Sequence, residues 1–280
     1  MDGVARAMRG PTADRPARPP AAALPTRGEP PRVALARLSP MALPVLDRLD
    51  ARRERRWLLA GVVLVLALYV PLNHFTATLP AAAPETWIDR AVPFEPAWVA
   101  VYELLYLFLL LPVVLPSGRE AFRRIAAAYV VTALVSYAVF LVYPVHFTAR
   151  PRITSTDTIG AWVLAMTHVI DTPSNCLPSL HVSLALLAGL SAWSLDRAVG
   201  ALAVPLAIVI GVSTMFVKQH WWWDVVTGWA LGGAAWMLLV RAAPRPEGPP
   251  ERRGALGLAL AQVALSVAAL LLHAAGIGAR

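Results

Sequence analysis

The stretch Ser213-Thr214-Met215-Phe216-Val217-Lys218-Gln219-His220-Trp221-Trp222-Trp223-Asp224 joins two apolar runs, at about 198–217 and 223–241. Each run is long enough to cross a bilayer, which takes ~20 apolar residues. The stretch therefore reads as the turn between two membrane helices. A second stretch, Pro178-Ser179-Leu180-His181, opens another apolar run at 179–195. Together they supply two histidines, a carboxylate, a hydroxyl and Lys218, all bordering hydrocarbon. Ionisable side chains are costly there, so such a cluster marks a functional site.

Composition agrees. Hydrophobic residues make up 58% of the 280-residue chain, charged residues 15%, and the mean hydropathy is +0.58. A soluble domain carries roughly 25% charged residues. Further apolar runs lie at about 57–77, 97–115 and 125–143, with a weaker Ala- and Gly-rich one at 255–275. The expected fold class is all-α, a polytopic membrane helix bundle of six spans plus an extra C-terminal one. The formal charge of +8 does not imply nucleic acid. Residues 1–56 hold twelve Arg against six Asp and Glu, so +6 of it lies in one segment. That segment is rich in Pro and Ala and is expected to be a disordered basic cytoplasmic tail. It lacks the early apolar run of a signal peptide. The expected division is tail 1–56, catalytic membrane domain 57–241, and linker with seventh span 242–280. The single Cys176 excludes an intrachain disulfide and a cysteine metal site; it reads as a packed small residue. Heavy Ala, Arg and Pro usage suggests a GC-rich bacterial genome, hence an inner membrane.

Arginines set the orientation. The tail ends in Arg52, Arg53, Arg55 and Arg56, so the N-terminus is expected in the cytoplasm. Alternation then places Arg119, Arg123, Arg124, Arg197 and the arginines after residue 240 on the same side. The outer loops become 78–96, 144–178 and 217–223, and the cluster faces the periplasm or exterior. Trp221, Trp222 and Trp223 read as interfacial anchors. His74, His146, His168 and His273 read as interfacial polar residues, and Glu103 as one half of an ion pair.

His220 and Asp224 are four apart, on one helix face. Asp224 can hold one imidazole nitrogen, fix the tautomer and stabilise the imidazolium formed on attack. His220 is then a nucleophile giving a phosphohistidine. His181 lies one turn into its helix, placed to protonate a leaving alkoxide and later activate an acceptor. Ser179 and the helix N-terminus offer donors to a phosphate, and Arg150 and Lys218 offer positive charge. Two histidines and an aspartate could instead ligate zinc, but the two cations oppose a metal. No metal and no cofactor are expected.

SNCLPSLHVSLALLAG and STMFVKQHWWWDVVTG resemble the second and third signatures of the type 2 phosphatidic acid phosphatase superfamily, and Arg150-Pro151 resembles the end of the first. The resemblance implies a six-helix core and metal-independent chemistry, with His220 as nucleophile, Asp224 as its orienting carboxylate, His181 as general acid, and Ser179 on the phosphate. Two positions depart from the pattern. Tyr143 stands where the superfamily has a Lys, seven residues before its Arg, and Thr214 where it has an Arg. The Pro-Ser-Leu-His form, the Lys-Gln-His approach and IDRAVPFEPAWVAVY are similar to the inositol phosphorylceramide synthase-like branch. Fewer cations suit a monoanionic diester over a dianionic monoester. The expected function is therefore a lipid phosphoester enzyme that moves a phosphoalcohol headgroup to an alcohol acceptor, or hydrolyses a lipid phosphate with water. A plain lipid phosphate or pyrophosphate phosphatase is the alternative. A transporter or flippase is the alternative of another class; its broken helices and matching halves are not evident.

Overall fold

A computed structural model describes residues 44–245 and 252–274. The expected disorder of the tail concerns, over residues 1–43, a segment outside the described residues. The described residues are helical, with no strand among them. They form helices α1 (Ala51–Thr76), α2 (Trp87–Ala91), α3 (Pro96–Val114), α4 (Arg119–Val142), α5 (Ile159–Ile170), α6 (Leu180–Leu195), α7 (Arg197–Phe216), α8 (Trp222–Val240) and α9 (Arg253–Ala274). Five of them, α1, α3, α4, α7 and α8, are long and apolar enough to cross a membrane. The chain is thus read as an integral membrane helix bundle.

The boundaries have local causes. Helix α1 starts at Ala51 rather than near residue 57, because the Asp50 carboxylate accepts the N–H groups of Arg52 (3.0 Å) and Arg53 (2.9 Å). Its first turn buries Glu54, 2% exposed, against Arg119 at 2.7 Å and against Arg123. That ion pair puts the starts of α1 and α4 at one end of the bundle. At the same end Asp196 caps α7 through Ala198 N–H (2.8 Å) and binds Arg252 at 2.6 Å. The arginines that set the orientation are therefore partly neutralised by buried acids.

Two expectations change. Helix α6 has 16 residues, a rise of ~24 Å against a hydrocarbon core of ~30 Å. It cannot begin earlier, because Ser179 caps it (Oγ to Val182 N–H, 3.2 Å) and Pro178 disfavours helix before it. The presumed outer loop 144–178 holds α5, whose Gly160 packs on Pro96 and Ala97 and whose Thr167 bonds Glu103 at 2.7 Å. Helix α5 therefore runs parallel to α3.

Helix α6 is the most enclosed element, with Val182, Ala185, Leu187 and Ala188 sealed inside. Helix α8 lies almost on its backbone. A Cβ at Gly228 would sit 2.9 Å from the Ser179 carbonyl oxygen, and one at Gly232 only 2.3 Å from that of Ser183. The spacing of these glycines is the small-xxx-small pattern that lets helix backbones approach in membranes. Gly232→Ala is expected to destabilise the protein by ~1–3 kcal/mol, the usual cost of overpacking, read as a lower unfolding temperature in detergent. Gly233→Ala, where a Cβ meets nothing within 4 Å, should leave it unchanged.

Candidate active site

Because α6 and α8 touch, the two histidine stretches meet. The Ser179 N–H donates to the Asp224 carbonyl at 3.0 Å, tying the first turn of α6 to that of α8. Asp224 is fully buried. Its Oδ2 accepts the Trp221 N–H at 2.8 Å, capping α8, and lies 3.5 Å from His220 Nδ1. One carboxylate thus caps the helix and lies beside the imidazole. With Nδ1 turned to Asp224, Nε2 is the nitrogen left for chemistry.

His220 follows a tight turn. At the end of α7, Gln219 N–H reaches the Thr214 carbonyl (2.9 Å) and Lys218 N–H that of Met215 (3.3 Å). This is a Schellman turn, with Lys218 in the left-handed position (φ 55) that glycine usually takes. The lysine is held there by its own side chain, whose Nζ donates to the carbonyls of Asp89 (3.0 Å) and Val92 (2.6 Å). Asp89 completes the clasp. Its carboxylate accepts the N–H groups of Thr86 and Trp222, both at 2.7 Å, so α2 is pinned to the start of α8.

His181 stacks on Tyr102 of α3, ring centroids 4.1 Å apart, and its Nε2 is buried without a partner. Arg150 enters from the loop after α4. It donates to the Asp171 carbonyl at 2.7 Å and to Oε1 of Gln219, the residue before His220. Burial lowers the Arg150 pKa, but a guanidinium stays charged in proteins. Burial raises the Asp171 carboxyl pKa, against the pull of the Tyr69 hydroxyl at 2.9 Å and of Arg150. Burial, helped by Asp224, likewise pushes the Cys176 thiol up.

The structure thus brings His220, Asp224, His181, Ser179 and Arg150 together, and gives Lys218 another task. It also separates the tryptophans expected as a belt. Trp221 is 1% exposed, stacked on Phe147 at 4.0 Å and donating to the His146 carbonyl at 2.9 Å; Trp223 is 50% exposed. Successive helical residues face different ways, so three in a row cannot all be anchors. Glu103 makes no ion pair among the described residues; Thr167 is its partner. Thr214 is sealed, its hydroxyl returning to the Gly211 carbonyl at 2.7 Å, while Tyr143 is half-exposed. The sequence reading missed Asp89, Tyr102 and Gln219. Only Asp89 left a local signal, the Thr86-x-x-Asp89 capping box.

Several buried polar atoms of this one place lack hydrogen-bond partners: His181 Nε2, His220 Nδ1, Asp224 Oδ1, Arg150 Nε and Gln219 Nε2. A cavity of about 1020 Å³, lined by none of these residues, runs between α3, α5 and α9. Its wall is mostly apolar, with Val99, Leu107, Val163 and Leu265, and it reaches Asp171. Residues 124–246 match the family model of the PAP2 superfamily. The match runs from within α4 to just past α8 and takes in every site residue from Arg150 to Asp224. Members of that superfamily are phosphatases and phosphotransferases, which supports an enzyme acting on a phosphoester in a membrane. Neither the curated proteins nor the solved structures gave a match.

The geometry separates the two cations. Arg150→Met should cut turnover at least a hundredfold, whereas Lys218→Met should cost less than tenfold and lower the unfolding temperature instead. Turnover and thermal unfolding of the two purified variants check this.

Proposed function

We propose that the protein is a lipid phosphoester enzyme working through a phosphohistidine on His220. The observation that carries this is the group of unpartnered buried polar atoms on residues that neighbour one another. Each orphaned group costs ~1–3 kcal/mol, and an anion would satisfy several at once. Arg150 Nε and Gln219 Nε2 are donors for non-bridging oxygens, as is the Ser179 O–H, whose oxygen already accepts the α6 cap.

In the first half-reaction His220 Nε2 attacks phosphorus, and the bond to the leaving alkoxide breaks. His181 gives its Nε2 proton to that oxygen. Asp224 holds the Nδ1 proton and balances the charge forming on the ring. In the second half-reaction an acceptor O–H gives its proton to His181 and attacks phosphorus, freeing His220. The acceptor is an alcohol for headgroup transfer or water for hydrolysis. No step needs a metal or a cofactor. Arg150 as the cation at the phosphate favours a monoanionic diester, and the apolar cavity beside Asp171 suits a lipid chain. The site faces away from the cytoplasm, at the end opposite the Glu54 and Asp196 ion pairs, as expected for a bacterial inner-membrane enzyme.

The deciding experiment incubates the purified protein with a phosphodiester lipid and with its phosphomonoester counterpart, each with and without a polyol. His220→Ala should abolish every product, because the covalent pathway is gone. Asp224→Asn should leave a residue of activity, by analogy with the ~10⁴-fold loss when a triad carboxylate is neutralised. Turnover should persist in a chelator. Normal turnover by His220→Ala, or loss in chelator restored by metal, would overturn the reading. Separately, a reporter fused after residue 155 should lie on the opposite side of the membrane from one fused after residue 121.

A further inference from the structure

The Cys176 thiol, read from the sequence as mere packing, lies at the nucleophile. Its Sγ, a ring nitrogen of His220 and a carboxylate oxygen of Asp224 all lie within 4.8 Å of one another, and all three residues are buried. The thiol lies against the carbonyls of Pro173 at 3.7 Å and Gln219 at 3.9 Å, both long contacts. His220 Nδ1 and Asp224 Oδ1 have no hydrogen-bond partner. A sulfur, an imidazole nitrogen and a carboxylate oxygen, grouped in a buried space, form a donor set for zinc once the thiol and Nδ1 give up their protons.

We propose that Cys176, His220 and Asp224 bind a soft divalent cation of the zinc class, and that its binding shuts the site off. In a tetrahedral zinc site, with bonds of about 2.0–2.3 Å, ligand atoms stand roughly 3.3–3.8 Å apart. The three groups therefore need to close by about 1 Å, within reach of side-chain rotation. Charge favours closure. A divalent ion with one thiolate, one carboxylate and a neutral imidazole makes a neutral cluster, which is what a buried place tolerates and what Arg150 opposes least. The thiolate selects zinc or cadmium over magnesium or calcium.

The protons balance as follows. Cys176 loses its S–H proton to solvent when the metal–sulfur bond forms. His220 binds the metal through Nδ1, so its one ring proton moves to Nε2. Asp224 exchanges its contact with the ring for the metal. The nitrogen that attacks phosphorus is then protonated and cannot act. This inhibition rests on the reading of His220 as nucleophile; the binding itself does not.

Two measurements on the purified full-length protein test it apart from the catalytic reading. Cobalt(II) chloride, added without substrate, should give a thiolate-to-cobalt charge-transfer band and the visible bands of a tetrahedral ion. Both should vanish in Cys176→Ser and in Cys176→Ala. Zinc chloride should inhibit turnover reversibly, with a chelator restoring it and magnesium chloride having no effect. Each cysteine variant, normalised to its own zinc-free turnover, should need at least tenfold more zinc for half-inhibition. Absence of the thiolate–cobalt band in the wild type, or equal zinc sensitivity of the cysteine variants, overturns the proposal. If no lipid phosphoester is turned over at all, the catalytic reading fails while the cobalt band still decides the metal site.

Discussion

The contact on which the site depends is the near-touching of α6 and α8 at Gly228 and Gly232. No side chain separates the helices there, so the Ser179 N–H reaches the Asp224 carbonyl. That bond sets the first turn of one helix beside the first turn of the other. His181 belongs to one and Asp224 to the other, with His220 in the turn that leads to it. The separation of His181 from the His220–Asp224 pair is thus set by helix packing. Reacting groups misplaced by 1 Å can lose ~10²-fold in rate, so a methyl group at Gly232 threatens chemistry as well as stability.

The surroundings act to keep that geometry stiff. The turn before His220 is held from both sides, by its Schellman bonds and by Lys218 reaching the carbonyls of Asp89 and Val92. A non-glycine residue in the left-handed region costs roughly 1–2 kcal/mol, and two hydrogen bonds from an ammonium offset it. From the other side, Asn73 of α1 binds Thr172 and Ser174, fixing the loop that carries Cys176 into α6. Arg150 is stretched between the Asp171 carbonyl and Gln219, so its charge is already aimed before any anion arrives. Pre-aimed dipoles and charges need not reorganise during reaction, which is where electrostatic catalysis gains most.

Much of this was legible in the sequence, for physical reasons that also explain the rest. Long apolar runs announce membrane helices, because a bilayer has one thickness; α3, α4, α7 and α8 were placed within a few residues, α4 starting earlier than expected. The four-residue step from His220 to Asp224 announces a shared face. Helix α5 was not legible, since 12 residues cannot span a bilayer and Thr167 and His168 interrupt its apolar pattern. The early start of α1 was hidden because Glu54 sits within a basic run while its partners, Arg119 and Arg123, lie far off in α4. Lys218 misled for a related reason. A cation near a site attracts a functional reading, yet only coordinates show that its ammonium is committed to two carbonyls. Tyr102 and Gln219 carry no local signal at all, because their roles come from neighbours distant in the chain.

Charge connects the proposals. In the proposed reaction the cluster sets the Arg150 guanidinium and a protonated His181, the acid, against the Asp224 carboxylate. A monoanionic diester brings that sum to zero; a dianionic monoester brings it to minus one, in surroundings too buried for water to screen it well. The cations that the superfamily pattern would place at residues 143 and 214 are absent. The half-exposed Tyr143 and the sealed Thr214 offer no substitute. The same arithmetic makes the place hospitable to a divalent ion once Cys176 has lost its proton, because thiolate and carboxylate then cancel the metal. Arg150 opposes that ion and attracts a phosphate, so substrate and metal are in competition for one set of groups. The proposed phosphate chemistry needs the His220 proton on Nδ1, the proposed metal needs it on Nε2, and the Asp224 carboxylate, 3.5 Å from Nδ1, favours the first.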